Sequence, residues 1–580
     1  MRARLLLLAL FAFLTALFAF RLKEITISSP SPSPANEYKK NIIRCSPDWE
    51  ALKEWMDESD IPPIPGAGSY TWKISTTNDS AQFYFNQGIN TYYSFHIIES
   101  MASFKKAARF DPNCAMLWWA QALAYGPNIN DLGYAASPEA LQATQKAVEL
   151  SSTANDVEKA LIDAMSVRYT ADSADMNRKQ LNEAYTQRMK EAYEKYPANA
   201  DIAALYADAM MLEHPWDLWN IDGTPKVWTP LIREVLEKLL AAAPNNPGAN
   251  HYYIHVMEPS PFADKAIPSA DRLGSLTPGL SHTVHMPSHI YLRTGNYAKG
   301  ISVNEAAVNS YKKVIPLYAP VTGNAFLYII HNLHMQTNHA MMTGRSGYAS
   351  SSAKATVKSV PTDYLSIPGA LGNAVQYIYM TPTLVDVRFG NWNNLLTAPQ
   401  PEKTLTYANI LWRFGRGMAF SQRNKLAEAK EELAQLQQLM KDSVLMIPFT
   451  PFSPAIDGAV VAENILIGTI ALKEKKFGDA IPAFEEAVVT EENMVYNEPR
   501  DWMLNPKHYL ANAYLKAGRS KEAKETLEKD LLNNNENGWA LFGLWQALTA
   551  EKKKSEANKM LLRFRKAFGK ADVKLYGPVF

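Results

Sequence analysis

Histidine is the residue type whose spacing in this chain promises chemistry. His251 and His255 stand four apart, and His285 and His289 repeat that spacing 34 residues further on. Eight of the eleven histidines fall between positions 251 and 339, so the pairs belong to a cluster. Residues four apart share one helix face, and each pair therefore offers two imidazoles side by side. Neutral imidazole binds Zn, Cu, Fe or Ni through one ring nitrogen near pH 7. The spacers are Tyr-Tyr-Ile and Met-Pro-Ser, so neither pair carries the internal glutamate of H-E-x-x-H. Glu258, three residues beyond His255, is the candidate for a third ligand or an acid–base group.

The same 34-residue interval says what must position these side chains. It is the period of the tetratricopeptide repeat (TPR), a helix-turn-helix unit that stacks into a solenoid. A unit starting at Ala81 places Gly88 at repeat position 8, Phe104 at 24, Ala107 at 27 and Pro112 at 32. Towards the C-terminus Gly468, Ala480, Phe484 and Ala487 fall at 8, 20, 24 and 27. Ala511, Tyr514, Gly518 and Ala523 fall at 8, 11, 15 and 20. The reading predicts an all-α, TPR-like solenoid of roughly ten helical hairpins, several irregular, with a loop at Gly126–Asn130. Alternation of Tyr70, Trp72 and Ile74 predicts one short strand over Ser69–Ser75.

Longer phrases resemble a family of exported bacterial multi-TPR proteins of unassigned function. They include Phe104 to Met116, Gly126-Pro-Asn128, His285-Met-Pro-Ser-His-Ile-Tyr291, His331-Asn-Leu-His334, Glu498-Pro-Arg-Asp-Trp502 and Asn537 to Gly543. The resemblance spans roughly residues 60–550 and implies a solenoid in the cell envelope; it implies no activity. The TPR resemblance also implies that positions 2, 5, 9 and 12 of each first helix face a concave groove. Three rows then converge: His251, His255 and Glu258; His282, His285 and His289; His331 and His334. Neighbouring packed helices lie ~8–10 Å apart, close enough for such rows to share an ion. One or two transition metals of the Zn, Cu or Fe class are expected, in a metal-binding protein or a metal-dependent enzyme. The alternatives are a metal-free groove that binds a peptide or partner protein, and histidines that only pack. Pro287, inside the second row, requires either a kink or a helix that starts there, which would leave His282 and His285 on a loop.

Other residues read more plainly. His96 and Glu99 suit a helix cap, His214 before Pro215 a loop, and His339 a position facing away from the groove. His508 can reach the lumen of the superhelix. The Glu498–Trp502 run lines the groove or plugs a gap between repeats, and the Lys/Glu-rich stretch 421–441 is a solvated face.

A chain of 580 residues with 47% apolar side chains exceeds one compact core, a limit that solenoids escape. Its 59 basic and 58 acidic side chains leave a net charge of +1, which offers nothing to nucleic acid. Arg2 and Arg4 before an apolar stretch from Leu5 to Phe20 mark residues 1–24 as a signal peptide or anchor. A Pro/Ser-rich linker follows over 25–45. Repeat regions cover 46–200, 201–400 (with the histidines) and 401–580. The protein is expected to be exported, periplasmic or tethered through its N-terminal segment. Cys45 and Cys114 fit two free thiols, or one disulfide if exported. No P-loop, G-x-G-x-x-G or G-x-S-x-G is present, so no familiar enzyme class is indicated.

Overall fold

The computed structural model describes residues 47, 49–131, 134, 136–172, 175–323, 325–449, 451–500 and 502–580. The N-terminal apolar stretch, the Pro/Ser linker and Cys45 lie outside the described residues. Cys114 is buried, and burial pushes its thiol up to about 11.

The fold is an all-α, TPR-like solenoid. Its first hairpin pairs Asp79–Tyr92 with Ile97–Phe110. Asn78 opens the first helix by accepting from the Ser80 and Ala81 amides, the groups that a helix start leaves unpaired. A Cβ on Gly88 would meet the Phe104 ring at 2.3 Å, and one on Gly468 would meet the Phe484 ring at 2.7 Å. The small residue at position 8 thus makes room for the aromatic at position 24, and this contact sets how closely these two hairpins close. Hairpins follow one another to Gly538–Ala550 and Lys554–Ala567. The loop after Ala124 is present, as expected.

The expected strand is absent: no strand occurs among the described residues, only an isolated bridge between Trp219 and Pro225. Ser69–Ser75 lies against the first hairpin and is bonded by side chains. The amides of Trp72, Ile74 and Ser75 donate to Asn86, Gln82 and Glu158, and the Tyr70 carbonyl accepts from Asn90. With its backbone satisfied in this way, the segment needs no partner strand. The solvated helix Leu426–Leu439 also departs from expectation at one point. Glu432 turns inward and pairs with Arg413 and Arg416, both at 2.7 Å.

The solenoid closes on itself. Trp539 Nε1 donates to the Met341 carbonyl at 2.9 Å, and Tyr297 Oη to the Asn535 carbonyl at 2.7 Å. The last residues cross the first helices of the C-terminal hairpins. Gln422 donates to Phe580 O at 3.0 Å and Gln546 to Tyr576 O at 3.0 Å, while Phe580 packs on Trp539. Asp572 accepts from the Gly347 amide at 2.9 Å and from the Ser346 amide, capping the helix Ser346–Ser359. The apolar helix Ala455–Lys473 is long and apolar enough to cross a membrane by length and composition, and here it packs, more than half buried, as a repeat helix.

Candidate metal centre

Asn246 and Pro247 start the helix that carries the first histidine pair. Asn246 accepts from the Ala249 amide at 2.8 Å, and Pro247 occupies the first turn, where its missing N–H costs nothing. Gly248 lets this helix approach the first hairpin, because a Cβ there would meet the Tyr93 ring at 2.6 Å. That approach brings the Tyr93 carbonyl to 2.7 Å from His251 Nδ1.

The second pair is set by Pro287. One short helix covers Ser281–His285 and another begins at Pro287 and runs to Arg293, with Met286 between them in the right-handed helical region. The proline sits at a first-turn position, so the helix breaks and turns without unwinding. His282 and His285 are helical rather than on a loop. The break redistributes the rows: His282 turns towards His251 and His255, while His285 and His289 turn towards His331 on the helix Ala325–Met342.

Two triads result. In the first, His251 Nε2 lies 3.0 Å from His282 Nε2 and 3.1 Å from His255 Nε2. In the second, His285 Nε2 lies 2.7 Å from His289 Nε2 and 3.0 Å from His331 Nε2. Within each triad one ligand atom per residue lies within 4.8 Å of the others. The His282 and His285 rings, one from each triad, are 6.1 Å apart between centroids. Every triad histidine is buried except His331, whose side chain is 30% exposed.

The opposite ring nitrogens fix which atom carries the proton. His251 Nδ1 faces a backbone carbonyl, which can only accept. His285 Nδ1 faces Asn304 Oδ1 at 2.7 Å, and the Asn304 amide is oriented by donating to the Gly300 carbonyl. His255 Nδ1 and His289 Nδ1 donate to the two oxygens of one carboxylate, Glu258, at 2.9 and 3.1 Å. All four rings therefore hold their proton on Nδ1 and turn a lone pair inward from Nε2. Burial, reinforced by neighbouring imidazoles, keeps His251, His282 and His285 well below their ordinary values and takes His331 to about 3. With the proton held on Nδ1, lone pairs face one another between His251 and His255 at 3.1 Å and between His285 and His289 at 2.7 Å.

Two carboxylates, Glu258 and Glu498, adjoin the triads. Burial pushes Glu258 up, but its contacts with His289 and His255 outweigh this and hold it well below the ordinary range. Tyr496 donates to its second oxygen at 2.9 Å. Glu498 behaves oppositely: burial and the Glu258 charge raise it well above the ordinary range. It stands 3.5 Å from His289 Nδ1 and 3.9 Å from His331 Nε2.

Several expectations meet a different arrangement. Glu258 joins neither tri-imidazole group but stands on the Nδ1 side of two imidazoles, where His255, Glu258 and Glu498 form a third set of possible ligand atoms within 4.8 Å of one another. His334 joins neither triad; its Nε2 is buried without a hydrogen-bond partner. His96 precedes the helix Ile97–Phe110 but its side chain makes no cap. It bonds Glu99 at 2.9 Å and stacks on Tyr328 beside the first triad. His339 does face away, packing against Gly300 and accepted by the Ser288 carbonyl at 3.1 Å. His508 is tied to Asp530 at 2.9 Å within the C-terminal repeats. Sequence reasoning missed Tyr93, Asn304 and Tyr496 as supports; it marked Glu498 as lining or plug, and that run does reach the centre.

No protein-family model matches the chain. No curated protein matches it either. Among solved structures it is similar to the human IFIT1 dimer with m7Gppp-AAAA, at 11% identity over 90% of this chain and 100% of that one, with a TM-score of 0.32. It is likewise similar to yeast Tom70, at 11% identity, 84% and 93% coverage and a TM-score of 0.26. The P58(IPK) TPR domain aligns at 12% identity, 82% and 99% coverage and a TM-score of 0.20.

Proposed function

We propose that this chain is an exported metalloprotein, a TPR-like solenoid that holds two transition-metal ions in adjacent tri-imidazole sites. One observation carries the reading. Inward lone pairs at 2.7–3.1 Å repel one another, and a cation between them turns that repulsion into coordination. The supports fit the same picture, since a metal-bound histidine characteristically donates its other ring N–H to a carboxylate or carbonyl. Three nitrogens per ion leave room in the coordination sphere for a substrate or water at the second triad, and Glu498 beside His331 is the candidate oxygen donor or acid–base group for metal-dependent chemistry.

Purified untagged protein is expected to contain close to two transition-metal ions per chain by elemental analysis. H285A together with H289A should remove the ion of the second triad. Metal-free protein of unchanged helicity that takes up none of zinc, copper or iron would overturn the reading. Mass determination of the mature chain tests export: loss of about the first 24 residues supports it, and an intact cytoplasmic chain opposes it.

A solenoid also offers concave surface to partners. The C-terminal hairpins favour this as a second property, because their first helices already hold an extended segment, the chain's own last residues, with a cavity of about 260 Å³ beside it.

A further inference from the structure

We propose that the two triads are unlike: the first is a closed, three-coordinate site for copper(I), and the second is an open site for a divalent ion. This rests on the metal reading above and assigns an ion to each half of it.

The first triad is roofed by an aromatic ring. The Phe95 centroid lies 4.5 Å from that of His251, 5.4 Å from His282 and 5.9 Å from His255, so one ring covers all three imidazoles. Trp216 closes the side of His255 at 5.6 Å. Both aromatics have left-handed backbones, with φ of 53° and 62°. Such a conformation costs a bulky residue roughly 1–3 kcal/mol, and it persists only where the surroundings enforce it. Tyr328 contributes by donating to the Phe95 carbonyl at 2.8 Å. A crevice of about 10 Å³ reaches His255 between Ile129, Met211, Trp216 and Leu218. That volume is at the lower limit for one water and is walled mainly by apolar groups.

The roof decides the ion. Zinc in proteins takes four ligands almost without exception, and the Phe95 ring packed on all three imidazoles leaves little space for a fourth. Copper(I) is a closed-shell monovalent ion that is satisfied by three nitrogens. Charge argues the same way. All three donors are neutral, and the cost of taking an ion from water rises with the square of its charge, about fourfold from one to two. The nearest carboxylate, Glu258, stands behind His255 and is shared with the other triad.

Among the described residues the second triad has no roof of this kind. His331 is 30% exposed, and a Glu498 oxygen lies 3.9 Å from its ligating nitrogen. An oxygen donor or a water has a place there, which completes four-coordination for a divalent ion.

The test uses full-length protein prepared without oxygen, titrated with copper(I) against a colorimetric copper(I) chelator and with zinc chloride. X-ray absorption at both edges reads coordination number. One copper(I) with three nitrogen neighbours and one zinc with four neighbours are expected. H331A should lose the zinc and keep the copper; H282A should lose the copper at least about 100-fold. F95A leaves every ligand in place but removes the roof, and zinc should then enter the first triad as well. Zinc at both triads of the unaltered protein, or loss of the same ion in H282A and H331A, would overturn this assignment while leaving a metalloprotein. Failure to bind either ion would instead sink the metal reading itself.

Discussion

Glu258 is the residue through which the centre can be tested most sharply, by the isosteric change E258Q. Its carboxylate accepts from His255 Nδ1 at 2.9 Å, from His289 Nδ1 at 3.1 Å and from Tyr496 at 2.9 Å. A carboxylate serves two N–H donors with two acceptor oxygens; an amide has one acceptor and one donor. In the variant, one of the two imidazoles meets an N–H group where it had an oxygen. That ring relaxes by moving its proton to Nε2, the atom that points into its triad, and there it no longer ligates. To bind a metal it must return the proton to Nδ1 and leave two buried donors face to face, at a cost of about 1–3 kcal/mol. Affinity at that triad should therefore fall about 5–150-fold, which overlaps the 10–100-fold typical of outer partners. The other triad should change far less. Competition titrations with chelators of known affinity read both sites separately. Y496F is the control: it removes a bond to the same carboxylate without touching a tautomer, so metal affinity should move by less than about threefold, below the cost of one charged hydrogen bond. Affinities at both triads of E258Q that match the unaltered protein would refute the tautomer argument.

Two further outcomes follow from groups away from the metal. His334 is buried with an unpartnered Nε2, and burial lowers its folded value to about 4. The unfolded chain takes up that proton first, near pH 6.5, so the contribution is full above that value and is lost as pH falls towards 4. The loss is about 3 kcal/mol at most. Urea unfolding of chelator-treated protein at about pH 7.5 and 4.5 should show a smaller difference in H334L than in the unaltered chain. G88A should destabilise by about 1–3 kcal/mol despite the better helix propensity of alanine, because its Cβ would meet the Phe104 ring. An unchanged urea midpoint would show that Phe104 can withdraw freely.

Periodicity made the histidines legible. A residue's place in a 34-residue repeat fixes which way it points, so the cluster could be drawn before any contact was known. Its partition into triads was not legible. Pro287 announced a break, but the turn that sends His282 one way and His285 the other depends on how the helix restarts after Met286. Tyr93 acts through a backbone carbonyl, which has no sequence signature. Tyr496 and Glu498 arrive only because the solenoid returns on itself, and repeat patterns describe neighbours rather than returns. The strand expected at Ser69–Ser75 failed for a related reason: side chains of distant helices satisfied the backbone, and alternation could not reveal that.

The return of the C-terminal repeats also sets when the centre can exist. Tyr496 lies 238 residues beyond the Glu258 carboxylate it bonds, so the donor set is assembled from segments far apart in the order of synthesis. Triad histidines are all made by position 331, but the carboxyl pair and its tyrosine are incomplete until much later. An ion that prefers the finished centre stabilises only the closed solenoid, and not a chain still missing its end. Tight metal retention would then double as proofreading, reporting that the last repeats had docked.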